Sequence, residues 1–412
     1  VVVIGLGLAG LLAGLAAAGH GARTLVTGMG HGTLRLRAGT VDVLGYRSGR
    51  MVSSPATAMA ALVAAMPRHP YALARDDLRP GLEAIRSATA AAGLELAGSL
   101  ESNQLIATAA GTIRPTCLAP DSMVAAWPGS RLLVVGLVGY RDFQAELVAS
   151  VLPAAAAAHG HRLTARSEMI DLLSLHRRHL GAPELARRFD QPDFRREVAA
   201  AVRYSLGDAS LVALPAVLGL ERAAEVAADL TSWLGVPVVE LATLPPSVPG
   251  LRLELALMSA LRRAGAALQV GSAARIVTRE RWVERVELDA PGHPLRLPVA
   301  AAVLASGGLA SGGLEVMPSG GIRETVAGLP VSAPAGGQLF GWSFLEPGGH
   351  GAGLAGVRVD DSMRPLGEDG EPACGNLFAA GGLVACADRA LDRSADGIAC
   401  ATGWRAGTRA TA

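Results

Sequence analysis

The chain has 412 residues, 37 basic against 36 acidic, and is half hydrophobic but only 4% aromatic, with 51 glycines. At about 150 residues per unit it holds roughly two or three structural units, and its core must be built from Ala, Val and Leu, a composition that suits α/β enzymes better than disordered or fibrous chains. Balanced charge with no run of like sign argues against a nucleic acid partner and advertises no lipid surface.

All 37 cations are arginine, since the chain contains no lysine. That excludes a Walker-type phosphate lysine and a pyridoxal Schiff base. The four cysteines, Cys117, Cys374, Cys386 and Cys400, form no C-x-x-C pair and no iron–sulfur spacing, so no cluster or structural metal is expected. They read as reduced thiols of a cytoplasmic protein.

The segment Val1 to Gly19 carries no charge and is long enough to be mistaken for a membrane span. Its start is β-branched, glycines break it at Gly5, Gly7 and Gly10, and it lacks the basic leading region and cleavage site of a signal peptide. It reads instead as a strand (Val1 to Ile4), a GLGLAG turn at 5–10, a helix to about Ala18, and a second strand from Thr24 to Thr27. In G-x-G-x-x-G, Gly5 permits the tight turn, Gly7 lets the backbone approach a phosphate, and Gly10 allows close helix–strand packing. The helix N-terminus, at Leu8 and Ala9, attracts the anion. The acidic residue that usually grips an adenosine ribose after the second strand is missing, because Thr27 runs into Gly28. Arg35 or Arg37 could read a 2′-phosphate there. A site for one phosphate and no adenosine leaves the same signature, which makes FMN an alternative to FAD or NAD.

Residues 51–110 read as helical, with Pro55, Pro67, Pro70 and Pro80 as breakers. A second α/β unit follows. It comprises strand 132–136, a GLVG turn at 136–139, a helix from about Asp142 to Ala158, strands at 211–215 and 236–241, and a helix near Glu221 to Leu234. The GLVG turn could cradle an anion or be plain scaffold. Next come an amphipathic helix at about 251–264, a strand at 267–271, a strand pair from Ile276 to Leu288, and an apolar strand ending in Ala305-Ser306-Gly307-Gly308. Small residues there suit a place beside a cofactor. A last short strand runs through GNLFAA into Gly381-Gly382. Asp388, Asp392 and Asp396 share one face if that region is helical, as a solvated acidic stripe.

The fold expected is α/β, a Rossmann-like flavin-binding domain opened by the G-x-G-x-x-G unit. It is split in sequence into 1–50 and 251–412 by an inserted helical and α/β region, 51–250.

GLGLAGLLAGL (5–15), AGTVDVL (38–44), VVGLVGYRDFQAEL (134–147), LPPSVPGLRL (244–253), VLASGGLASGGL (303–314), GGIRETVAGLPV (320–331) and GNLFAAG (375–381) follow one another as in a known family. On these segments the chain resembles the B subunit of the anaerobic glycerol-3-phosphate dehydrogenases, over nearly its whole length. The resemblance implies an FMN-containing flavoprotein, with FAD as the alternative. It implies a complex that oxidises sn-glycerol 3-phosphate to dihydroxyacetone phosphate and passes electrons to the quinone pool. The implied partners are an FAD-containing A subunit and an iron–sulfur, membrane-anchoring C subunit, which would hold this chain at the inner face of the cell membrane without a span of its own. A non-catalytic assembly or electron-relay role in the same complex is the other reading. From Ala385 onward the chain is Asp/Arg-rich where that family has a glycine-rich turn opening its last helix.

The flavin would accept the hydride, and the protein must supply a base and a cation for phosphate. Arg323 in GGIRE and Arg252 after PPSVPG are the phosphate candidates, and His31 and His350 the candidate bases. Expected against the cofactor are Gly5, Gly7, Leu8, Ala9, Gly10, Thr27, Gly28, Thr40, Ala305, Ser306, Gly307, Gly308, Gly381 and Gly382. Asp42 either orients flavin or substrate groups or caps a turn.

Overall fold

The computed structural model describes residues 1–124, 129–175, 180–289, 293–334 and 339–412. They form two compact units, the first made of Val1–Thr33, Asp42–Ala88 and Ala256–Ala412, the second of Leu34–Val41 and Thr89–Leu255.

The first unit is built on a five-stranded sheet in the order Ala267–Val270, Leu25–Gly28, Val2–Ile4, Ala302–Leu304, Leu377–Ala379. Every pairing in it is parallel. Its central strands are continuous apolar runs because both faces are covered. The helix Leu8–Gly19 follows the first strand and lies close to the sheet, since a Cβ on Gly14 would stand 2.5 Å from Val26 Cγ2. The last helix, Ala395–Arg409, packs on the first through glycines. Cβ positions on Gly403 and Gly407 fall 2.4 Å and 2.2 Å from the carbonyl oxygens of Ala9 and Ala13. A three-stranded antiparallel sheet, Ala274–Arg279, Trp282–Leu288 and Leu295–Pro298, belongs to the same unit.

The second unit holds a four-stranded parallel sheet in the order Leu163–Ile170, Ser130–Leu137, Leu211–Pro215, Val238–Leu241. Its apolar core includes Leu133, Val134, Tyr140, Phe143, Phe189 and Leu214. Gly136 lies within a strand, where a Cβ would meet Met169 Sδ at 2.2 Å, so it is a packing glycine and not part of an anion-holding turn. The start of helix Ala223–Leu234 is already served by an internal anion. The Asp190 carboxylate accepts N–H bonds from Leu220 and Arg222, each at 3.0 Å.

Three expectations are corrected. Residues 51–88 belong with the first unit, not with the inserted region. The reason is close packing against the last helix: Cβ positions on Gly397 and Gly81 would meet Tyr71 Oη at 2.1 Å and Cys400 Sγ at 2.6 Å. Residues 51–110 are helical only to Ala90, after which Leu96–Gly98 and Gln104–Ala107 are strands. The acidic triplet shares no helical face, because the last helix starts at Ala395. Asp388 turns onto the N–H groups of Ala390 and Leu391, while Asp396 is buried and accepts the Asp42 N–H.

His69 gives the fold a pH dependence. It is fully buried, its Nδ1 accepts the Tyr71 N–H at 3.1 Å, and its Nε2 has no hydrogen-bond partner among the described residues. Burial, then the charges of Arg47 and Arg389, pull its pKa from 6.5 down to about 4. The unfolded chain therefore binds this proton first as pH falls. The stability contributed by neutral His69 is complete above pH 6.5 and is lost between 6.5 and about 4, amounting to about 3 kcal/mol. His69→Asn, which keeps an acceptor for the Tyr71 N–H, is expected to flatten the urea-midpoint profile over that window.

Candidate functional site

Parallel strands deliver their following turns to one edge of a sheet, where α/β folds bind ligands. In the first unit Ile4 is in register with Thr27 and Leu304, and Leu304 with Ala379, so the turns after four strands meet at that edge. Gly5 has φ +132°, and a Cβ on it would stand 2.1 Å from the Ala305 carbonyl oxygen. Gly10 is equally constrained, its Cβ position being 1.9 Å from the Gly5 oxygen. Gly7 differs: beyond its chain neighbours, no heavy atom of the described residues lies within 4 Å of its Cβ position. It is the N-cap of helix Leu8–Gly19 and, being glycine, gives that terminus no side-chain cap of its own. The result is a notch beside open backbone N–H groups, with no acidic side chain in the first helical turn.

The other turns close in on the notch. Gly307 and Gly381 have φ +83° and +70°, a Cβ on Gly381 would lie 2.6 Å from Ala9 Cβ, and one on Gly382 3.1 Å from the Gly308 nitrogen. The Gly381 N–H donates to Thr402 Oγ1 at 2.8 Å, which fixes that turn. Two hydroxyls at this edge, Thr27 Oγ1 and Ser306 Oγ, are buried without a hydrogen-bond partner among the described residues. A glycine cradle, an uncapped helix start and orphaned hydroxyls together fit a phosphate-bearing, polyhydroxylated cofactor such as a flavin.

The remaining predicted residues divide. Gly28 ends its strand, and Gly32 lies so near the notch that a Cβ on it would meet Gly7 Cα at 2.3 Å, which brings exposed His31 to that neighbourhood. His350 does not suit a base. Its Nδ1 accepts the Gly341 N–H at 3.1 Å, so the ring proton sits on Nε2 and is donated to the Phe344 oxygen at 3.1 Å. Thr40 lies in the second unit, where its hydroxyl accepts from Arg114 Nη2 at 2.8 Å, and so is not among the turns of the first.

Neither predicted phosphate arginine is poised for phosphate. Arg252, 3% exposed, spends its fork on Glu240 at 2.8 and 3.0 Å and its Nε on the Gly219 oxygen. Arg323 is exposed and bonded through Nε and Nη2 to Glu315 across a two-stranded ribbon. Arg323→Ala is expected to change stability by less than about 1 kcal/mol and to leave KM for a phosphorylated substrate unchanged, checked by urea denaturation and steady-state rates. Arg35 pairs with Glu254 in the second unit. The Asp42 carboxylate lies 3.8 Å from Arg393 Nη1, on the segment leading into the last helix.

An arginine the sequence did not single out lies at the site. Arg389 Nη2 is 3.8 Å from the Cβ position of Gly308, and no local motif marks it. A cavity of about 400 Å³ adjoins the same turn, lined by Leu309, Leu314, Glu315, Val316, Thr325 and Phe340. Among the described residues, no group of three or more His, Cys, Asp or Glu could hold a metal ion, and no helix is long and apolar enough to cross a membrane.

The FAD binding domain family matches residues 1–390. The chain is 33% identical to the probable anaerobic glycerol-3-phosphate dehydrogenase B subunit of Halobacterium salinarum, covering 100% of this chain and 97% of that one. It is 32% identical to the anaerobic glycerol-3-phosphate dehydrogenase B subunit of Pectobacterium carotovorum, covering 93% and 91%. The chain belongs to the family of anaerobic glycerol-3-phosphate dehydrogenase B subunits. Among solved structures it is similar to 3-ketosteroid Δ1-dehydrogenase from Sterolibacterium denitrificans, with a TM-score of 0.44 and 12% identity over 98% of both chains. As a relative of these B subunits within the FAD binding domain family, it is a flavoprotein oxidoreductase subunit, and its first unit has the Rossmann-like α/β architecture expected of one.

Proposed function

We propose that the first unit binds FAD across its four turns and that this protein oxidises sn-glycerol 3-phosphate to dihydroxyacetone phosphate. The observation that carries the cofactor reading is the open notch at Gly7, at an uncapped helix start, in a sheet edge where neighbouring glycines are packed to backbone contact. The flavin, when bound, supplies the hydride acceptor. The helix N-terminus holds its phosphate, Ser306 and Thr27 offer hydroxyls to its polar chain, and the glycine turns admit it without side-chain bulk. His31 takes the proton of the substrate hydroxyl. The substrate and the route of the electrons, to the quinone pool by way of an FAD-containing A subunit and an iron–sulfur, membrane-anchoring C subunit, are proposed from the names of the relatives. On this reading the chain is cytoplasmic and reaches the inner face of the cell membrane through a partner.

The family match over residues 1–390 favours FAD. FMN is favoured by one observation, the absence of a carboxylate after Thr27 and Gly28. A relay or assembly role without alcohol oxidation is favoured by another, the engagement of both His350 nitrogens and the pairing of Arg252 and Arg323 with carboxylates. Anaerobic addition of sn-glycerol 3-phosphate to the flavin-loaded chain separates these roles. Bleaching of the yellow absorbance by the chain alone is the expected result, whereas bleaching that requires the added FAD-containing partner supports the relay and rejects oxidation here.

A further inference from the structure

The loop from Leu339 to Ala352, in the first unit, holds its shape while turning its large apolar side chains out to solvent. Trp342 is 100% exposed, Phe344 91%, Leu345 80% and Phe340 61%. The backbone beneath them is fixed from within. The Ala352 N–H closes the loop by donating to the Leu339 oxygen at 2.8 Å, and the Gly349 N–H donates to the Glu346 oxygen at 2.9 Å. His350 braces the inside, its Nδ1 accepting the Gly341 N–H and its Nε2 donating to the Phe344 oxygen, with its ring 5.9 Å from that of Phe340. Compact surface loops of this length ordinarily pack on their own side chains, and here those side chains face away. The patch runs on into its surroundings. Phe340 lines the cavity of about 400 Å³ together with Leu309 and exposed Val316, and a Cβ on Gly349 would stand 2.7 Å from Cδ1 of exposed Leu391.

Charge decides what kind of surface can cover this patch. From Thr325 to Val357 the sequence holds a single Asp, Glu, Lys or Arg, which is Glu346. A segment that settles on a bilayer carries Lys or Arg to meet anionic headgroups, each worth about 1 kcal/mol, and the one formal charge here has the opposite sign. Aromatic residues at a centre depleted of charge, with the exposed Glu315–Arg323 pair nearby, match a protein–protein interface instead.

We infer that this loop is the docking surface for a companion subunit of the dehydrogenase, a protein whose matching surface is an uncharged apolar recess that takes up the Trp342 and Phe344 rings. The inference rests on the reading of this chain as one subunit of a complex, and membership of a family of B subunits makes the occupant another subunit rather than a second copy. Rings of this kind dominate binding when a recess excludes water from them. A loop already braced by its own hydrogen bonds loses little freedom on docking. Through Phe340 and Leu309 the patch reaches the turn after Ala302–Leu304, so the docked subunit lies beside the proposed cofactor edge.

The test is made on the assembled complex. The full chain, as wild type, Trp342→Ser/Phe344→Ser or Tyr204→Ser, is co-expressed with the FAD-containing and iron–sulfur partners proposed above. Complex stoichiometry, the Kd of the chain for its partner and the melting temperature of each chain alone are measured. The double variant should melt as wild type does, because both rings are exposed, but bind its partner about a hundredfold more weakly. Tyr204→Ser, which removes a 95% exposed ring from the second unit, should assemble as wild type does. Wild-type affinity in the double variant overturns the inference while leaving the chain a subunit. The other occupants are read on the chain alone. Binding to phosphatidylserine vesicles, or dimerisation in light scattering, that the double variant loses would put a bilayer or a second copy on the loop and overturn it as well. A wild-type chain that assembles with neither partner overturns it together with the reading of this chain as a subunit of that complex.

Discussion

A Gly7→Ala chain is expected to fold normally and to purify without flavin. Gly7 has φ −80°, which alanine adopts without strain, and beyond its own chain neighbours the added methyl meets no atom of the described residues within 4 Å. Replacing glycine by alanine at an N-cap costs less than about 1 kcal/mol. The methyl instead occupies the space through which a phosphate reaches the N–H groups of helix Leu8–Gly19. Gly10→Ala provides the contrast, because its Cβ would stand 1.9 Å from the Gly5 oxygen, backbone that cannot turn aside. Overpacking of that kind costs about 3 kcal/mol or more, so Gly10→Ala should lose stability and flavin together. Urea denaturation with flavin absorbance per chain checks both variants. Retention of flavin by Gly7→Ala would show that the phosphate does not approach there.

The largest loss of stability is expected from breaking the buried pair in the second unit. Glu240 accepts the Arg252 fork, the Ser122 hydroxyl at 2.6 Å and the Leu218 N–H at 2.8 Å, and so ties a strand, a turn and a helix together. Arg252→Met strands the carboxylate in a dry interior, and removing one partner of such a pair costs about 3–5 kcal/mol. The double variant Arg252→Met/Glu240→Leu removes both charges and should recover much of that loss. Equilibrium urea unfolding of the single and double variants measures both. A stable Arg252→Met chain with a raised KM for glycerol 3-phosphate would instead restore Arg252 as a phosphate ligand.

Much of this sheet edge, as strands and glycine turns, was legible in the sequence because its determinants are local. Val2–Ile4, Ala302–Leu304 and Leu377–Ala379 are apolar runs that end in glycine turns, and period and punctuation alone mark them. The strand Leu163–Ile170 escaped because it is an edge strand whose Thr164, Arg166 and Glu168 dilute the apolar pattern. The arginines were misjudged for another reason. What Arg35 does is decided by Glu254, 219 residues away, and Arg252 is neutralised by Glu240, 12 residues before it on the preceding strand Val238–Leu241. Charge pairing of this kind leaves no local signature. The placement of Arg389 was missed in the same way, since it is nearness to Gly308, distant in the chain, that puts it beside the turn.

The most direct test of the account is the visible spectrum of the purified chain, followed by mass identification of whatever acid precipitation releases. One flavin per chain, released as FAD, is the predicted result. A colourless protein that takes up neither FAD nor FMN would contradict the reading of the Gly7 notch as a flavin cradle.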